Sequence, residues 1–150
     1  MSVLVDAPRV MKRLDVIREN VSALRDMQGL SAKELGASRR DLAAAKHFLR
    51  ESTEAMIDIA NHLCVKSLLG TPASAVDAVI LLRDGNVFAP AHASTYATMV
   101  KYRNRLVHFY ADVTLEEIWQ LIQNELPDFE MFVGDVARYV AELDSAETTA

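Results

Sequence analysis

The stretch Arg39–Leu69, RRDLAAAKHFLRESTEAMIDIANHLCVKSLL, decides the fold class. Leu42, Leu49, Met56 and Leu63 recur every seven residues, joined by Thr53 and Ala60. That spacing keeps one apolar seam against a partner helix over the whole length, so the stretch predicts a long helix packed in a bundle. Its other face carries His47, Arg50, Glu51, Glu54, Asp58, Asn61 and His62, a row that suits either a solvated surface or the wall of a cleft.

The flanks read the same way. Toward the N-terminus, Val10, Leu14, Ile17, Val21 and Leu24 line one helical face and predict a helix from Pro8 to Met27, with Gly29 at its C′ position. Ser31 with Glu34 has capping-box spacing, and Ser38 with Asp41 is a second start signal, so a short helical turn is expected before the long helix. Toward the C-terminus, Gly70-Thr71-Pro72 closes the long helix and begins a short one that Gly85 ends. Pro90 or Ala91 opens another that runs to about Tyr110, and Thr114 with Glu117 is a further capping box. The last helix is expected to break near Pro127, with Phe129, Phe132, Val133, Val136 and Val140 continuing its apolar face. No strand pattern or internal repeat appears. The reading is one all-α domain, an antiparallel bundle of four to five helices, with its core over about 8–143 and a frayed polar tail, DSAETTA, over 144–150.

Composition narrows the function classes. At 150 residues the chain has the size of one domain, and its net charge of −5 excludes the sequence-wide basic surface of a general nucleic-acid binder. A small cleft with a few cations remains compatible with that charge. Cys64, the lone cysteine, makes no internal disulfide and is expected as a buried apolar residue in a reducing compartment. No apolar run approaches the roughly 20 residues of a spanning helix, and the start, MSVLVDAPRVMKRLD, has no signal-peptide apolar region. A cytoplasmic protein without membrane contact is therefore expected. His47, His62, His92 and His108 lack ligand spacing with carboxylates or with Cys64, so no metal and no cofactor is expected.

Lys101–Tyr110, KYRNRLVHFY, holds the anomaly. At about 100° per residue, Tyr96, Met99, Val100, Leu106 and Val107 form one apolar stripe, and Arg103 and Tyr110, seven residues or two turns apart, fall in the middle of it. Asn104 and His108 stack on the stripe's edge, while Arg105 and Phe109 point elsewhere. A buried, unpaired guanidinium costs several kcal/mol, so Arg103 has to meet a carboxylate, a subunit boundary or a cleft. Asp58 and Glu54 are the candidate carboxylates. Periodicity alone leaves these options open.

The run Arg103-Asn104-Arg105-Leu106-Val107-His108-Phe109-Tyr110 resembles the R-N-x-x-x-H-x-Y signature of the HepT-type toxins of the HEPN family. Ala55–Leu63 resembles that family's second helix, and Tyr110–Glu117 and Leu126–Phe129 are similar to its later elements. The resemblance spans about Pro8 to Leu143; Phe109 departs from the commonest form, which has a small or polar residue there. It implies a type VII-like toxin: a metal-independent endoribonuclease with RNA as substrate and its site in a homodimer cleft. Arg103 and His108 would be catalytic, with Asn104 orienting the histidine or touching phosphate, and Asp58 and Glu54 supporting. It also implies a minimal nucleotidyltransferase antitoxin that attaches AMP to Tyr110.

The side chains suit that chemistry. RNA carries its own nucleophile, the 2′-hydroxyl; a histidine with an ordinary pKa of about 6.5 can take its proton near neutral pH. Arginine offers a planar fork to phosphate. Arg103 and His108 lie about 140° apart around an ideal helix, so they converge only if the long arginine side chain curls or if two copies of the helix face each other. Two other readings compete. A non-catalytic helical nucleotide-binding subunit of a two-component nucleotidyltransferase needs neither Arg103 nor His108, and a plain structural dimer leaves the Arg–Asn–His grouping unexplained.

Overall fold

The computed structural model describes residues 4–149, with side chains to Ala146; Met1–Val3 and the tail's last residue, Ala150, lie outside the described residues. Seven α-helices and no strand are found among the described residues: α1 Ala7–Arg25, α2 Ala32–Ala37, α3 Arg39–Lys66, α4 Ala75–Asp84, α5 Ala93–His108, α6 Leu115–Asn124 and α7 Leu126–Thr149. The four long ones, α1, α3, α5 and α7, make the body of the bundle. Among the described residues no helix is long and apolar enough to cross a membrane.

The predicted seams are the core. Val10, Leu14, Ile17, Val21 and Leu24 of α1 are all buried, as are Leu49, Thr53, Met56, Ala60 and Leu63 of α3; Leu42 at the seam's first position is half-buried. Each fully buried Leu or Ile contributes roughly 1.5–3 kcal/mol relative to exposure. Polar ties fix the direction in which α1 crosses α3. The Asp6 backbone N–H donates to His62 Nε2 at 3.0 Å, Arg13 pairs with Asp58 at 3.5 Å, and Asn20 Nδ2 donates to Glu51 Oε1 at 2.9 Å. Residue numbers rise on one helix as they fall on the other, so α1 and α3 are antiparallel. Cys64 is buried with its thiol on the Ala78 carbonyl, and burial pushes its pKa up to about 11.

Helix ends follow local chemistry. Ser31 and Glu34 form the full reciprocal capping box, and Ser38 caps α3. The long helix stops at Lys66 rather than Leu69 because Leu68 takes a left-handed φ of 61°, letting the Leu69 N–H reach the Cys64 carbonyl. The first helix stops at Arg25 with Asp26 as its cap, so Gly29 belongs to the turn beyond it and is not C′. The last helix divides at Glu125, and Pro127 lies in the first turn of α7, where its missing N–H costs nothing. Residues 144–149, expected as a frayed tail, continue α7.

Candidate active site

α5 begins after a 3₁₀ turn at Pro90–His92 and packs antiparallel on α3. Tyr96, Met99, Val100 and Leu106 are buried on the predicted stripe. Beneath its first turn lies a polar cluster that the sequence did not reveal. Asp135 of α7 accepts from Tyr96 Oη at 2.5 Å and lies 2.8 Å from His92 Nδ1. Tyr96 reads as one more apolar member of the stripe, and an isolated Asp135 in an apolar run carries no signal of its partners.

At the other end of α5 the motif divides. Arg103 is partly buried, and its Nε is fully shielded from solvent with no hydrogen-bond partner among the described residues. Neither Asp58 nor Glu54 pairs with it. Asp58 faces α1 and bonds Arg13, so the structure does not bring it to Arg103; Glu54 is half-buried on α3, with no ion pair among the described residues. The ion-pair explanation of the arginine therefore finds no partner among the described residues. Asn104 and His108 are exposed.

Arg105 behaves in the opposite way. Its guanidinium meets both carboxylate oxygens of Glu117, at 2.9 and 3.0 Å, and donates to the Asp112 carbonyl at 3.1 Å. Tyr102 Oη donates to the same carboxylate at 2.9 Å. Burial, and then this hydrogen bond, hold the Tyr102 phenol well above its ordinary pKa. Glu117 thus completes only half of its predicted capping box. Thr114 Oγ1 accepts from the Glu117 N–H, but the carboxylate is diverted to α5.

α5 ends at His108, two residues before the expected end, and Phe109 takes φ −123° and ψ 37° as its cap. Tyr110 consequently lies on a separate 3₁₀ turn, Tyr110–Asp112, and not two helical turns beyond Arg103 on the same helix. It is 46% exposed, with Lys46 Nζ 4.4 Å from its ring centroid. A groove of about 380 Å³ beside it is lined by Ala43, His47 and Arg50 of α3 and by Leu106, Val107 and Tyr110. The polar row predicted on α3 is thus two surfaces. Glu51, Asp58 and His62 serve α1, while His47 and Arg50 serve the groove. His62 is held below its ordinary pKa by burial and then by Arg9, against the pull of Asp6, with Lys66 adding to the decrease. Among the described residues no group of three or more His, Cys, Asp or Glu side chains is placed to hold a metal ion.

The family model described as Ribonuclease HepT-like matches residues 17–136, four fifths of the sequence. The chain belongs to the HepT-like ribonuclease family. An mRNA nuclease HepT from Shewanella oneidensis is 36% identical over 85 residues, 57% of this chain and 64% of that protein. The chain thus spans just under two thirds of that relative's length. A tRNA nuclease HepT from Aphanizomenon flos-aquae is 26% identical over 132 residues, 88% of this chain and 90% of the relative. Among solved structures, the tri-AMPylated HEPN toxin of Shewanella oneidensis in complex with its MNT antitoxin superposes with a TM-score of 0.76 at 26% identity, over 86% of this chain and 96% of that one. A cytosolic protein of unknown function from Bacillus subtilis, YutE, superposes at 0.80 with 19% identity over 93% of both chains, a likeness of fold alone. This HEPN-like helical fold is the one expected from the sequence.

Proposed function

We propose that the protein is a metal-independent endoribonuclease toxin that works as a cytoplasmic homodimer, with Arg103, His108 and Asn104 of both protomers lining one cleft. The observation that carries this reading is Arg103 itself. Its Nε is buried without a hydrogen-bond partner among the described residues, in the middle of an apolar stripe and five residues before an exposed His108, in a chain of the HepT-like family. A second protomer would turn the stripe's exposed end into an interface and bring a guanidinium of one α5 toward an imidazole of the other.

In that cleft His108 takes the proton from the RNA 2′-hydroxyl as its oxygen bonds to phosphorus. The bond from phosphorus to the 5′-oxygen breaks, and that oxygen receives a proton from the partner's His108 in its imidazolium form. Arg103 neutralises charge on the non-bridging oxygens, and Asn104 orients the histidine or contacts phosphate. Neutralisation is assigned to a nucleotidyltransferase partner, in keeping with the AMPylated toxin–antitoxin complex that this chain resembles. The Tyr110 hydroxyl attacks the α-phosphorus of ATP, its proton is lost and pyrophosphate departs. The adenylate then adds bulk and negative charge where the RNA backbone has to pass. Tyr110 is half-exposed on a short turn, accessible to a second enzyme.

The test uses protein purified free of its partner, incubated with RNA in excess chelator. Cleavage is expected, and it is expected to vanish in His108→Ala while light scattering still reports a dimer. Activity that needs added Mg²⁺ or Mn²⁺, or a monomer at micromolar concentration, would overturn the mechanism. The mass of protein co-expressed with the antitoxin is expected to rise in steps of one adenylate, and not in Tyr110→Phe. An unmodified mass in a fully neutralised complex would leave simple occlusion as the mode of control.

A further inference from the structure

Charge is unevenly placed along this acidic chain. Residues 39–50 and 93–108, the first half of α3 and the whole of α5, hold seven Lys and Arg (Arg39, Arg40, Lys46, Arg50, Lys101, Arg103, Arg105) against one acid, Asp41. The remaining residues hold nine cations against twenty acids. A net charge of −5 is thus +6 on these two segments and −11 elsewhere. Because α3 and α5 are antiparallel, the first half of α3 lies beside the second half of α5; of these cations Arg50 lines the groove at Tyr110 and Lys46 lies over the Tyr110 ring.

Most arginines of the chain are already engaged: Arg13, Arg18, Arg25, Arg40, Arg83, Arg105 and Arg138 each lie within 4.0 Å of a carboxylate. Arg50 and Lys46, at the groove, have no carboxylate partner among the described residues. Both are half-buried, and Lys46 Nζ lies 4.4 Å from the Tyr110 ring centroid at the groove's edge. Arg50 NH2 lies 3.4 Å from His47 Nδ1, and His47 Nε2 lies 3.6 Å from Glu51, so Arg50 lines the groove with an imidazole neighbour rather than a carboxylate on its guanidinium among the described residues. Leu106 and Val107 supply an apolar floor, and the volume of about 380 Å³ falls within the range of small-ligand sites.

We infer that this groove is a subsite for single-stranded RNA, in which Arg50 and Lys46 hold backbone phosphates of the strand flanking the scissile bond. The inference deepens the ribonuclease reading and rests on it. Its chemistry is that of sequence-tolerant strand binding, a cationic groove beside an aromatic ring. An adenylate on Tyr110 would lie at its edge and compete for the same cations, which gives the modification a physical route to inhibition.

The experiment measures cleavage and, separately, binding of a short single-stranded RNA to the His108→Ala protein by fluorescence anisotropy across a salt series. Lys46→Gln/Arg50→Gln is expected to raise KM about tenfold and lower the slope of log affinity against log salt by about 1.4, some 0.7 for each phosphate no longer neutralised. Lys46→Arg/Arg50→Lys is expected to keep both values. A Lys12→Gln/Lys33→Gln control removes the same charge away from the groove and is expected to move neither. Unchanged KM and slope in the first variant, or a loss confined to kcat, would overturn the inference while leaving a ribonuclease. An unmutated protein that binds RNA with the expected slope but never cuts it would instead overturn the ribonuclease reading and keep the groove.

Discussion

Arg103 and Arg105 stand two residues apart on one helix and live in opposite conditions. Arg105 is satisfied: a carboxylate fork from Glu117, a backbone carbonyl from Asp112 and the neighbouring Tyr102 ring 5.8 Å away. Arg103 is partly buried with an unpartnered Nε. Two positions on an α-helix differ by about 200°, so the pair points to opposite sides of α5. One side has α6 to complete it. On the other, Arg103 Nε has no hydrogen-bond partner among the described residues. A guanidinium inside a finished core is a structural part; one left unfinished is kept for something that arrives later.

The largest effect should come from the unfinished side. Arg103→Ala is expected to lower RNA cleavage by about two to three orders of magnitude, the usual cost of losing one preorganised electrostatic group. Its melting temperature should stay level, and that of Arg103→Met should rise, since no ion pair is broken and a desolvated polar atom is removed. Calorimetry beside the cleavage assay checks this, and a strongly destabilised Arg103→Met would erase the contrast.

Arg105 should respond in reverse. Arg105→Ala and Glu117→Ala are each expected to cost about 1–2 kcal/mol in urea unfolding, a modest figure because the pair is partly exposed. Cleavage should fall less than tenfold, through loosening of the turn that carries Tyr110. The double variant should cost little more than either single change.

Tyr102 sharpens the contrast on the alkaline side. Its folded-state pKa is raised by burial and by the bond to Glu117, so above the ordinary value of 10.0 the native state binds more protons than the unfolded chain. Stability supplied by the neutral phenol is whole below that pH and lost as pH rises beyond it. Tyr102→Phe should flatten the loss between pH 9 and about 11, as read from denaturant midpoints.

The smallest effect concerns His62, whose folded pKa is lowered. Its contribution is complete above the ordinary value of 6.5 and declines as pH falls below it, because protonation spoils an acceptor for the Asp6 N–H. A slight drop in melting temperature from pH 7.5 to 5.5 is expected, reduced in His62→Gln. An equal drop in both would assign acid sensitivity elsewhere.

The amino-acid sequence by itself determined the helices, their order and their apolar seams, because periodicity and caps are local: Leu49 to Leu63, Ser31 with Glu34 and Ser38 with Asp41 all do what their spacing requires. It also singled out Arg103, since a charge in an apolar stripe is visible in one dimension. Only the tertiary structure decided where each polar side chain found its partner. Glu117 has the spacing of a capping box, yet its carboxylate goes to Arg105 because a charged fork outcompetes a neutral N–H. Asp58 went to Arg13 and Tyr96 to Asp135, choices set by which helices lie side by side. Tyr110 left the helix because the chain must turn at Phe109 to reach α6. Helix formation depends on neighbours in sequence, whereas the satisfaction of buried polar groups depends on neighbours in space.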